Sequence, residues 1–452
     1  MSDKEMYTAE DTQREIELLN SPSKQVTWSP FPRVKIELVI PPTVYPPRHD
    51  SDLLAQRISK FGPGRNKKLL EIGCGSGAIS IFAASLGWDV SACDINPFSV
   101  IATKGNMEKS GYGAEIVEGG VGPEKIPFDS KFDLIVWNLP YLSVEEIDVD
   151  RLGPMEDAAM VDTDEIGLAN RLIHQIDKQN LLADNGKILI LGKNDLKLNT
   201  SKFAHRIFDR VELDDGDILE LICLWNPWYD KHSYYVEQLG STNSEIMNYV
   251  GIGTNLRARK QVAGRGRRER IWTSIEGSYA ASWIVSEGGE ISPGNLQLAG
   301  GLAVLNSLQN EQLNLKWPND IFIKGRKVGG ILAESRSNSE GFKAILGIGI
   351  NMVSTNEKMD FPFASLDEIT SISIERFHLR LHAELSSLIE EREDIPPVNH
   401  SLLREKVLLH LKKFGNPKFD GKVFDEFKLN QDGELVLSNG HIVKDGEDIS
   451  WH

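Results

Sequence analysis

The chain has little cysteine and no long apolar run. Its 452 residues include three cysteines, Cys74, Cys93 and Cys223, and no two of them have the spacing of a metal-binding or redox pair. This argues against a disulfide framework and a cysteine zinc site, and it predicts a reducing compartment. No stretch reaches the roughly 18 apolar residues of a membrane span, and the polar N-terminus is unlike a signal peptide. We therefore expect a soluble cytoplasmic protein.

Positive charge is also in deficit, because the formal net charge is −16. A chain with this net charge is a poor candidate for binding nucleic acid over a broad surface. Yet residues 264–272 read GRGRRERIW and contain four arginines: Arg265, Arg267, Arg268 and Arg270. This segment, called the arginine loop below, allows three interpretations: a nucleic-acid patch, a cradle for one small polyanion, or a solvated basic loop.

The order of apolar runs predicts the architecture. Between residues 67 and 225, the runs KKLLEIG, WDVSACD, KFDLIVW and GKILILG alternate with helical stretches at about 78–86 and 97–110. Alternation of strand and helix predicts a Rossmann-like parallel sheet with helices on both faces. A second, mixed α/β region follows NPWYDKHSY at 226–234, with strands at LNLKW, KVGGILAES and FKAILGIGI. The last fifty residues, with their DG and NG turns, predict a small β unit.

The first half contains a cradle for a nucleotide-like ligand. The sequence LLEIGCGSG places Gly73, Gly75 and Gly77 between a strand and a helix, where glycines allow backbone to approach a ligand closely. Asp94 ends the next strand, in the position of a carboxylate that binds ribose hydroxyls. The motif NLPY, residues 138–141, ends a later strand, and VYPPRHDSDLL, residues 44–54, precedes the first.

Over roughly residues 25–225, these motifs resemble the S-adenosylmethionine-dependent methyltransferases, and among them the archaeal and eukaryotic release-factor glutamine methyltransferases. The resemblance implies two groups of site residues. The S-adenosylmethionine site would consist of Glu71, Gly73, Gly75, Gly77, Asp94 and Glu118; the methyl-acceptor site would consist of Asn138, Pro140 and Tyr141. Asn138 would be catalytic, because methyl transfer depends mainly on positioning the target nitrogen.

Two departures leave the acceptor open. The family usually has Asn-Pro-Pro-Tyr, whereas this chain has Leu139, and Asn-Leu-Pro-Tyr also occurs in RNA adenine dimethyltransferases. The aspartate expected after the third strand is missing, so either Glu118 contacts the adenine or that contact is lost. The alternatives are therefore a protein glutamine amide, an RNA adenine amino group, or a binding domain without catalysis. The alternative without function is that residues 138–141 form a plain turn at the end of a strand.

The arginine loop belongs to an ordered set of motifs. Upstream lie Ser241, Thr242, Asn243 and Gln261; downstream lie LKWPNDIFIKGRKVGGILAE at 315–334 and GIGIN at 347–351. From 231 to 452 this order resembles biotin protein ligase. Such ligases join the carboxylate of biotin to the α-phosphate of ATP, so the resemblance favours the polyanion cradle, because guanidinium groups neutralise phosphate oxygens with two-pronged geometry.

The resemblance implies roles for individual residues. Lys327 and Arg267 would be catalytic, with Lys327 stabilising charge on the α-phosphate. The biotin and ATP site would comprise Ser241, Thr242, Asn243, Gln261, Gly264, Arg265, Gly266, Arg268, Trp272, Lys316, Asn319, Asp320, Gly330, Gly347, Gly349 and Asn351. No residue is assigned as a ligand of a resident metal, although Asp320 would help to organise Mg²⁺. Taken alone, Ser241–Asn243 could be an N-cap and Lys316 a surface lysine. Glu269 stands where the family favours glycine.

The sequence thus predicts a fusion of two enzymes. We expect a methyltransferase-like domain at 1–226, a ligase domain at 227–400 and a small SH3-like β domain at 401–452. The expected small molecules are biotin, ATP with Mg²⁺, and S-adenosylmethionine. The expected partners are the biotin carboxyl carrier domain of an acyl-CoA carboxylase and a peptide-chain release factor. No operator DNA binding is expected, and the oligomeric state is left open.

Overall fold

The computed structural model describes residues 21–122, 124–140, 166–194, 196–200, 202–213, 216–272, 274–289, 292–338, 341–355 and 362–452. The chain divides into two compact units. Unit 1 comprises residues up to Thr200 with His205–Asn226 and Asp394–Pro396; unit 2 comprises Ser201–Ala204, Pro227–Glu393 and Pro397–His452. The predicted domain limits remain a proposal.

Unit 1 contains a hairpin and a seven-stranded sheet within the described residues. The hairpin strands are β1 (Lys24–Phe31) and β2 (Val34–Ile40). The strands of the sheet are β3 (Lys68–Ile72), β4 (Asp89–Asp94), β5 (Glu115–Glu118), β6 (Phe132–Asn138), β7 (Leu182–Lys193), β8 (Ala204–Glu212) and β9 (Ile218–Trp225). Their order is β5-β4-β3-β6-β7-β9-β8. The pairs from β5 to β7 are parallel, but β9 runs antiparallel to β7. The predicted all-parallel sheet therefore has an antiparallel end.

The helices of unit 1 are α1 (His49–Lys60), α2 (Ala78–Ser85), α3 (Pro97–Lys109) and α4 (Leu168–Gln179). Residues 78–83 of α2 are all buried, as expected for a helix that is apolar on every face. Asn96 caps α3 by accepting from Phe98 N over 2.9 Å, and Pro97 occupies the first turn, where its missing N–H is harmless. The helices predicted near 78–86 and 97–110 are confirmed.

Unit 2 is built on a seven-stranded sheet in the order β10-β11-β14-β18-β17-β16-β15 within the described part. Its strands are β10 (Ser233–Leu239), β11 (Asn255–Gln261), β14 (Tyr279–Glu287), β15 (Leu313–Lys316), β16 (Asp320–Ile323), β17 (Arg326–Asn338) and β18 (Gly341–Ile350). A two-stranded ribbon, β12 (Gly264–Arg265) and β13 (Ile271–Trp272), forms the base of the arginine loop. The strands predicted at LNLKW, KVGGILAES and FKAILGIGI are confirmed.

The helices of unit 2 are α5 (Thr242–Glu245), α6 (Pro293–Leu308), α7 (Ile374–Ile389) and α8 (His400–Phe414). Helix α6 packs against the sheet so closely that Gly300 and Gly301 touch Ile331 and Leu315, where a methyl group would clash. Short strands complete the chain: β19 (Pro417–Phe419), β20 (Lys422–Val423), β21 (Phe427–Leu429), β22 (Leu435–Leu437), β23 (Ile442–Val443) and β24 (Ser450–Trp451). The mixed α/β class and the small C-terminal β unit are as predicted.

Candidate functional site

In unit 1, the glycine loop and the carboxylates of the proposed cofactor site come together where β3, β4 and β5 end. The glycines Gly73, Gly75 and Gly77 all have positive φ, which residues with a side chain rarely adopt. Gly75 N donates to Asp94 Oδ2 over 2.9 Å, so the loop is tied to the end of β4. Asp94 and Glu118 are neighbours in the β4–β5 register. Glu118 is exposed, so its carboxylate is free to face a ligand.

Glu71 is the buried carboxyl group of this edge. It lies at the end of β3, accepts from the Ser80 hydroxyl and is 6% exposed. Burial raises the pKa of Glu71 to about 8, with a further contribution from nearby Asp94. Burial also raises the pKa of Asp94, although the N–H groups of Asn96 and Gly75 oppose that effect. Burial thus disfavours the charged form of both carboxyl groups, Glu71 and Asp94.

Asn138 ends β6 with its amide held by a residue that sequence analysis did not single out. Asn138 Nδ2 donates to Asp50 Oδ2 over 2.8 Å, and Asp50 is buried in α1. Among the residues that the structure describes, Asn138 Oδ1 is buried without a hydrogen-bond partner. A buried acceptor without a partner is costly unless a ligand satisfies it. The segment 44–54 contained the signal for Asp50, but only the fold brings it to β6.

Leu139, the next residue, packs beside Gly192 of β7. Its side chain is buried, and a methyl group on Gly192 would lie 3.3 Å from Leu139 Cδ1. Leu139 N donates to Leu191 O over 3.0 Å, a bond that proline could not make. Leu139, in place of the proline of Asn-Pro-Pro-Tyr, therefore extends the β6–β7 pairing. It does not itself change the side-chain amide of Asn138. Pro140 follows at the edge, and Tyr141 lies outside the described residues.

In unit 2, the predicted ligase residues line one cavity of about 470 Å³. Those that line it are Ser241, Thr242, Asn243, Gln261, Arg265, Gly266, Arg267, Arg268, Trp272, Lys316, Asn319, Asp320, Lys327, Gly330, Gly347, Gly349 and Asn351. Gly264 is not among the lining residues. It pairs with Trp272 in the β12–β13 ribbon, where a methyl group would lie 2.5 Å from Trp272 O. Gly264 therefore lies at the base of the arginine loop.

One end of the cavity is a hydrogen-bonded polar network. Thr242 N donates to Gln261 Oε1 over 2.7 Å. The Ser282 hydroxyl, on β14, lies 2.8 Å from Thr242 Oγ1 and 2.6 Å from Asn243 Oδ1. Gly347 faces this cluster, and a Cβ there would meet Asn243 Oδ1 at 2.1 Å. The network fixes polar groups of α5 toward a small ligand.

The N-cap explanation for Ser241–Asn243 is weakened by the same geometry. Ser241 does occupy the N-cap position of α5, but its side chain makes no capping hydrogen bond. The hydroxyl of Thr242 and the amide of Asn243 are both engaged in the network above. Lys316 is not a plain surface lysine either, because it lines the cavity with its ammonium group 5.4 Å from the Phe322 ring centroid.

Trp272 forms part of the cavity wall. Its ring lies over Gly349, where a Cβ would approach Trp272 Cε2 to 2.8 Å. The indole Nε1 is buried without a hydrogen-bond partner. The ring therefore combines an apolar surface with one donor that a ligand could use.

The charged groups of the cavity are arranged as ion pairs. Lys327 Nζ lies 2.7 Å from Asp320 Oδ1 and 6.0 Å from the centroid of the Trp272 ring. Arg268 pairs with Asp445 and Glu447, and Arg270 pairs with Glu447. Sequence analysis did not identify these two carboxylates, because they lie nearly 180 residues after the loop.

In the arginine loop, Gly266 has φ −117°, whereas Arg268 has a positive φ of 54°. Gly264 allows close packing against Trp272 O, while a Cβ at Gly266 would lie at ordinary contact distance, 3.4 Å, from Arg270 O. The side chain of Glu269 lies outside the described part.

Two family profiles match the chain in the two units. The Biotin/lipoate A/B protein ligase family matches residues 253–351, and a methyltransferase domain matches residues 69–151. The chain thus combines a region similar to methyltransferase domains with a region similar to the Biotin/lipoate A/B protein ligase family.

The ligase domain has curated relatives. The biotin–[acetyl-CoA-carboxylase] ligase of Paracoccus denitrificans is 36% identical over 122 residues, which are 25% of this chain and 51% of that protein. The enzyme of the same name from Mycobacterium tuberculosis is 33% identical over 181 residues, 36% of this chain and 65% of that protein. The chain therefore spans about half to two thirds of the length of these relatives.

Two solved structures are each similar to part of this chain. The biotin protein ligase of Aquifex aeolicus in complex with biotin and ATP is 24% identical and covers 49% of this chain and 98% of its own, with a TM-score of 0.39. A tRNA (uracil-54, C5)-methyltransferase of Pyrococcus abyssi in complex with S-adenosyl-L-homocysteine is 18% identical. It covers 45% of this chain and 44% of its own, with a TM-score of 0.31.

Two further observations concern metal and membrane. In the described ranges, no three His, Cys, Asp or Glu side chains lie together in a way that could hold a metal ion. Among the helices that the structure describes, none combines the length and apolar character needed to cross a membrane.

Proposed function

We propose that unit 2 forms biotinyl-5′-AMP from biotin and ATP and transfers biotin to a lysine of a carboxylase carrier domain. The observation that carries this proposal is the convergence of the ordered ligase motifs on one cavity with a polar end, an aromatic wall and six cationic side chains. These cations are Arg265, Arg267, Arg268, Arg270, Lys316 and Lys327. A cavity so charged suits a ligand that brings several phosphates.

The proposed reaction has two steps. A biotin carboxylate oxygen bonds to the α-phosphorus of ATP, the bond to the bridging oxygen breaks, and pyrophosphate leaves. The ε-amine of the acceptor lysine then attacks the acyl carbon, AMP leaves, and an amide forms with loss of the amine proton. In this proposal, Lys327 stabilises charge on the α-phosphate, and the arginine loop covers the reactive anhydride and excludes water.

Lys327→Ala tests this assignment. Removing one donor that stabilises transition-state charge costs about 10²-fold or more in rate, so we expect biotin-dependent exchange of pyrophosphate into ATP to fall by about that factor. Lys324→Ala is the matched control, because Lys324 lies in the same hairpin, is exposed and does not line the cavity. Equal exchange rates in the two variants would remove Lys327 from the chemistry.

We propose that unit 1 transfers a methyl group from S-adenosylmethionine to the side-chain amide of a protein glutamine. S-adenosylmethionine, when bound, supplies an electrophilic methyl group. The glycine loop, Glu71, Asp94 and Glu118 are the residues that would hold it. The observation that carries the proposal is Asn138 Oδ1, a buried acceptor to which no described residue donates, while Asp50 fixes the other end of the amide. That acceptor suits an N–H of a planar amide or amine.

The acceptor is tested with the purified chain, tritiated S-adenosylmethionine and a lysate of undermethylated source cells. Label lost to protease, in one band of release-factor size, supports glutamine methylation. Label lost to nuclease supports the second candidate, an adenine amino group of RNA, which the open amide of Asn138 also fits. Absence of label together with absence of S-adenosylmethionine binding by calorimetry would leave unit 1 a non-catalytic domain.

A further inference from the structure

The turn between β23 and β24 brings negative charge to the ligase cavity. Asp445, Gly446 and Glu447 all line that cavity, and they are called the acidic turn below. Glu447 N donates to Asp445 Oδ1 over 3.1 Å, which fixes the turn internally. Gly446 lies against Pro318, where a Cβ would come within 2.6 Å of Pro318 Cδ. The acidic turn is therefore held in place by packing as well as by charge.

The arginine loop is engaged by this turn. Arg268 pairs with both carboxylates, Arg270 pairs with Glu447, and Arg267 Nη2 lies 3.6 Å from Asp445 Oδ2. Three of the four arginines of the loop thus face carboxylates of the same chain. Arg268 does so from a left-handed backbone conformation, which a residue with a side chain adopts only when its surroundings favour it.

Asp445 and Glu447 occupy the arginine N–H groups that a bound phosphate would need. A guanidinium group binds carboxylate and phosphate oxygens through the same N–H donors, so the two kinds of anion compete for them. Lys327 is in the same situation, since Asp320 holds it. The cavity lining combines six cationic side chains with three anionic ones, Asp320, Asp445 and Glu447. The remaining positive charge is smaller than the arginine loop alone suggests.

We propose that the acidic turn is an internal competitor for the polyanion that the arginine loop binds. This inference rests on the proposed ligase function for its physiological ligand. ATP or pyrophosphate displaces Asp445 and Glu447 from the arginines, and the turn thereby sets a threshold of negative charge. A ligand with one phosphate does not displace both carboxylates, whereas a polyphosphate does. The turn thus acts as a specificity element of the nucleotide side.

The test compares the full-length chain with its D445N/E447Q variant by calorimetric titration of sodium pyrophosphate. Because the two carboxylates form several exposed ion pairs, each weak, we expect pyrophosphate to bind the variant about five-fold more tightly at low salt. The difference should shrink at high salt, where exposed charges are screened. Unchanged or weaker binding, or no binding to either protein, overturns the proposal.

The matched control is D432N/D448N, which removes the same charge from two exposed positions near the C-terminus that do not line the cavity. It should bind pyrophosphate like the unaltered chain, and equal tightening in both variants would overturn the proposal. Trypsin gives a second readout, because release of Arg268 and Arg270 should speed cleavage of the loop in D445N/E447Q. Unchanged cleavage would show that the turn does not hold the loop.

Failure of the competition is distinguishable from failure of the ligase. Biotin-dependent pyrophosphate exchange by the unaltered chain tests the ligase alone. If the unaltered chain catalyses exchange but D445N/E447Q does not bind pyrophosphate more tightly, the proposed ligase function is supported and the proposed competition is overturned. Tighter binding without exchange would sustain the competition and overturn the ligase.

Discussion

Asn138 has two hydrogen-bonding ends, and the structure assigns one of them to Asp50. With Nδ2 held by that carboxylate, Oδ1 is the end of the amide that has no partner among the described residues. Asp50 is thus a positioning residue in the proposed transfer. It acts through the amide of Asn138 and fixes which of its atoms meets the acceptor.

Asp50→Ala is therefore expected to lower methyl transfer about ten-fold or more, because a misplaced catalytic group costs rate even when it is present. Asn138→Ala should abolish transfer, and both variants should still bind S-adenosylmethionine in calorimetry. Asp133→Ala is the control: Asp133 bonds to the backbone of Lys68 at the opposite end of β6. A fall in turnover matched by a fall in cofactor binding would show that Asp50 maintains the fold instead.

Glu71 should make unit 1 sensitive to pH. Its folded-state pKa of about 8 exceeds the unfolded value of about 4.5, so the native state holds a proton that the unfolded state has lost between these values. The contribution of Glu71 to the free energy of unfolding is fully present below about pH 4.5. It falls as pH rises toward 8, by about 1.4 kcal/mol per pH unit at most.

Glu71→Gln keeps the size of the side chain and removes this titration. We expect the variant to melt at a higher temperature than the unaltered chain at pH 8 and to differ less at pH 5. Glu115→Gln, an exposed carboxylate of the same sheet, should follow the unaltered chain at both pH values. Parallel pH profiles for Glu71→Gln and the unaltered chain would show that Glu71 is not buried as a neutral acid.

At the scale of elements, strand β18 supports the wall of the ligase cavity through a glycine. The ring of Trp272 rests on Gly349, and a methyl group would lie within 2.8 Å of it. Overpacking of this kind costs about 1–3 kcal/mol, and here the strain falls on the short β12–β13 ribbon instead of the central sheet.

Gly349→Ala should displace Trp272 and weaken biotin binding about ten-fold, which isothermal calorimetry can measure. Gly289→Ala is the matched change, since no atom lies closer than 4.0 Å to a Cβ at that position, and it should leave the affinity unaltered. Unchanged biotin affinity in Gly349→Ala would place Trp272 outside the biotin site.

At the scale of the whole molecule, each unit has its own buried core. In unit 1 it includes Leu69, Ile135 and Ile188, all fully buried on the sheet, and in unit 2 it includes Trp283 and Leu302. Two cores of ordinary domain size predict two unfolding transitions.

S-adenosylmethionine should raise the midpoint temperature of one transition, and biotin with ATP that of the other. The reason is that a ligand stabilises only the unit to which it binds. At a hundred times the dissociation constant, the expected increase is about 5 °C or more in differential scanning calorimetry. Monophosphate and free methionine at the same concentrations serve as ligand controls. A single transition, raised by either ligand, would show that the two units unfold together.

The sequence by itself determined the order of elements and the chemistry they suggest. Runs such as KLLEI and the cap at Asn96 specify strand and helix locally, because burial periodicity and capping act over a few residues. The ordered motifs around Lys327 predicted which side chains would gather, and they do line one cavity. The inverted end of the first sheet was missed, since strand direction depends on neighbours distant in sequence.

Tertiary structure decided which groups face one another. The pairing of Asp50 with Asn138 spans 88 residues, and that of Asp445 with Arg268 spans 177. No local pattern encodes such contacts, because they arise only when separate elements pack. The same holds for Leu139, whose inward direction follows from the β6–β7 register, and for the counter-charges that occupy the arginine loop. Motifs determined the content of both sites, and packing determined which of their atoms remain open to a ligand.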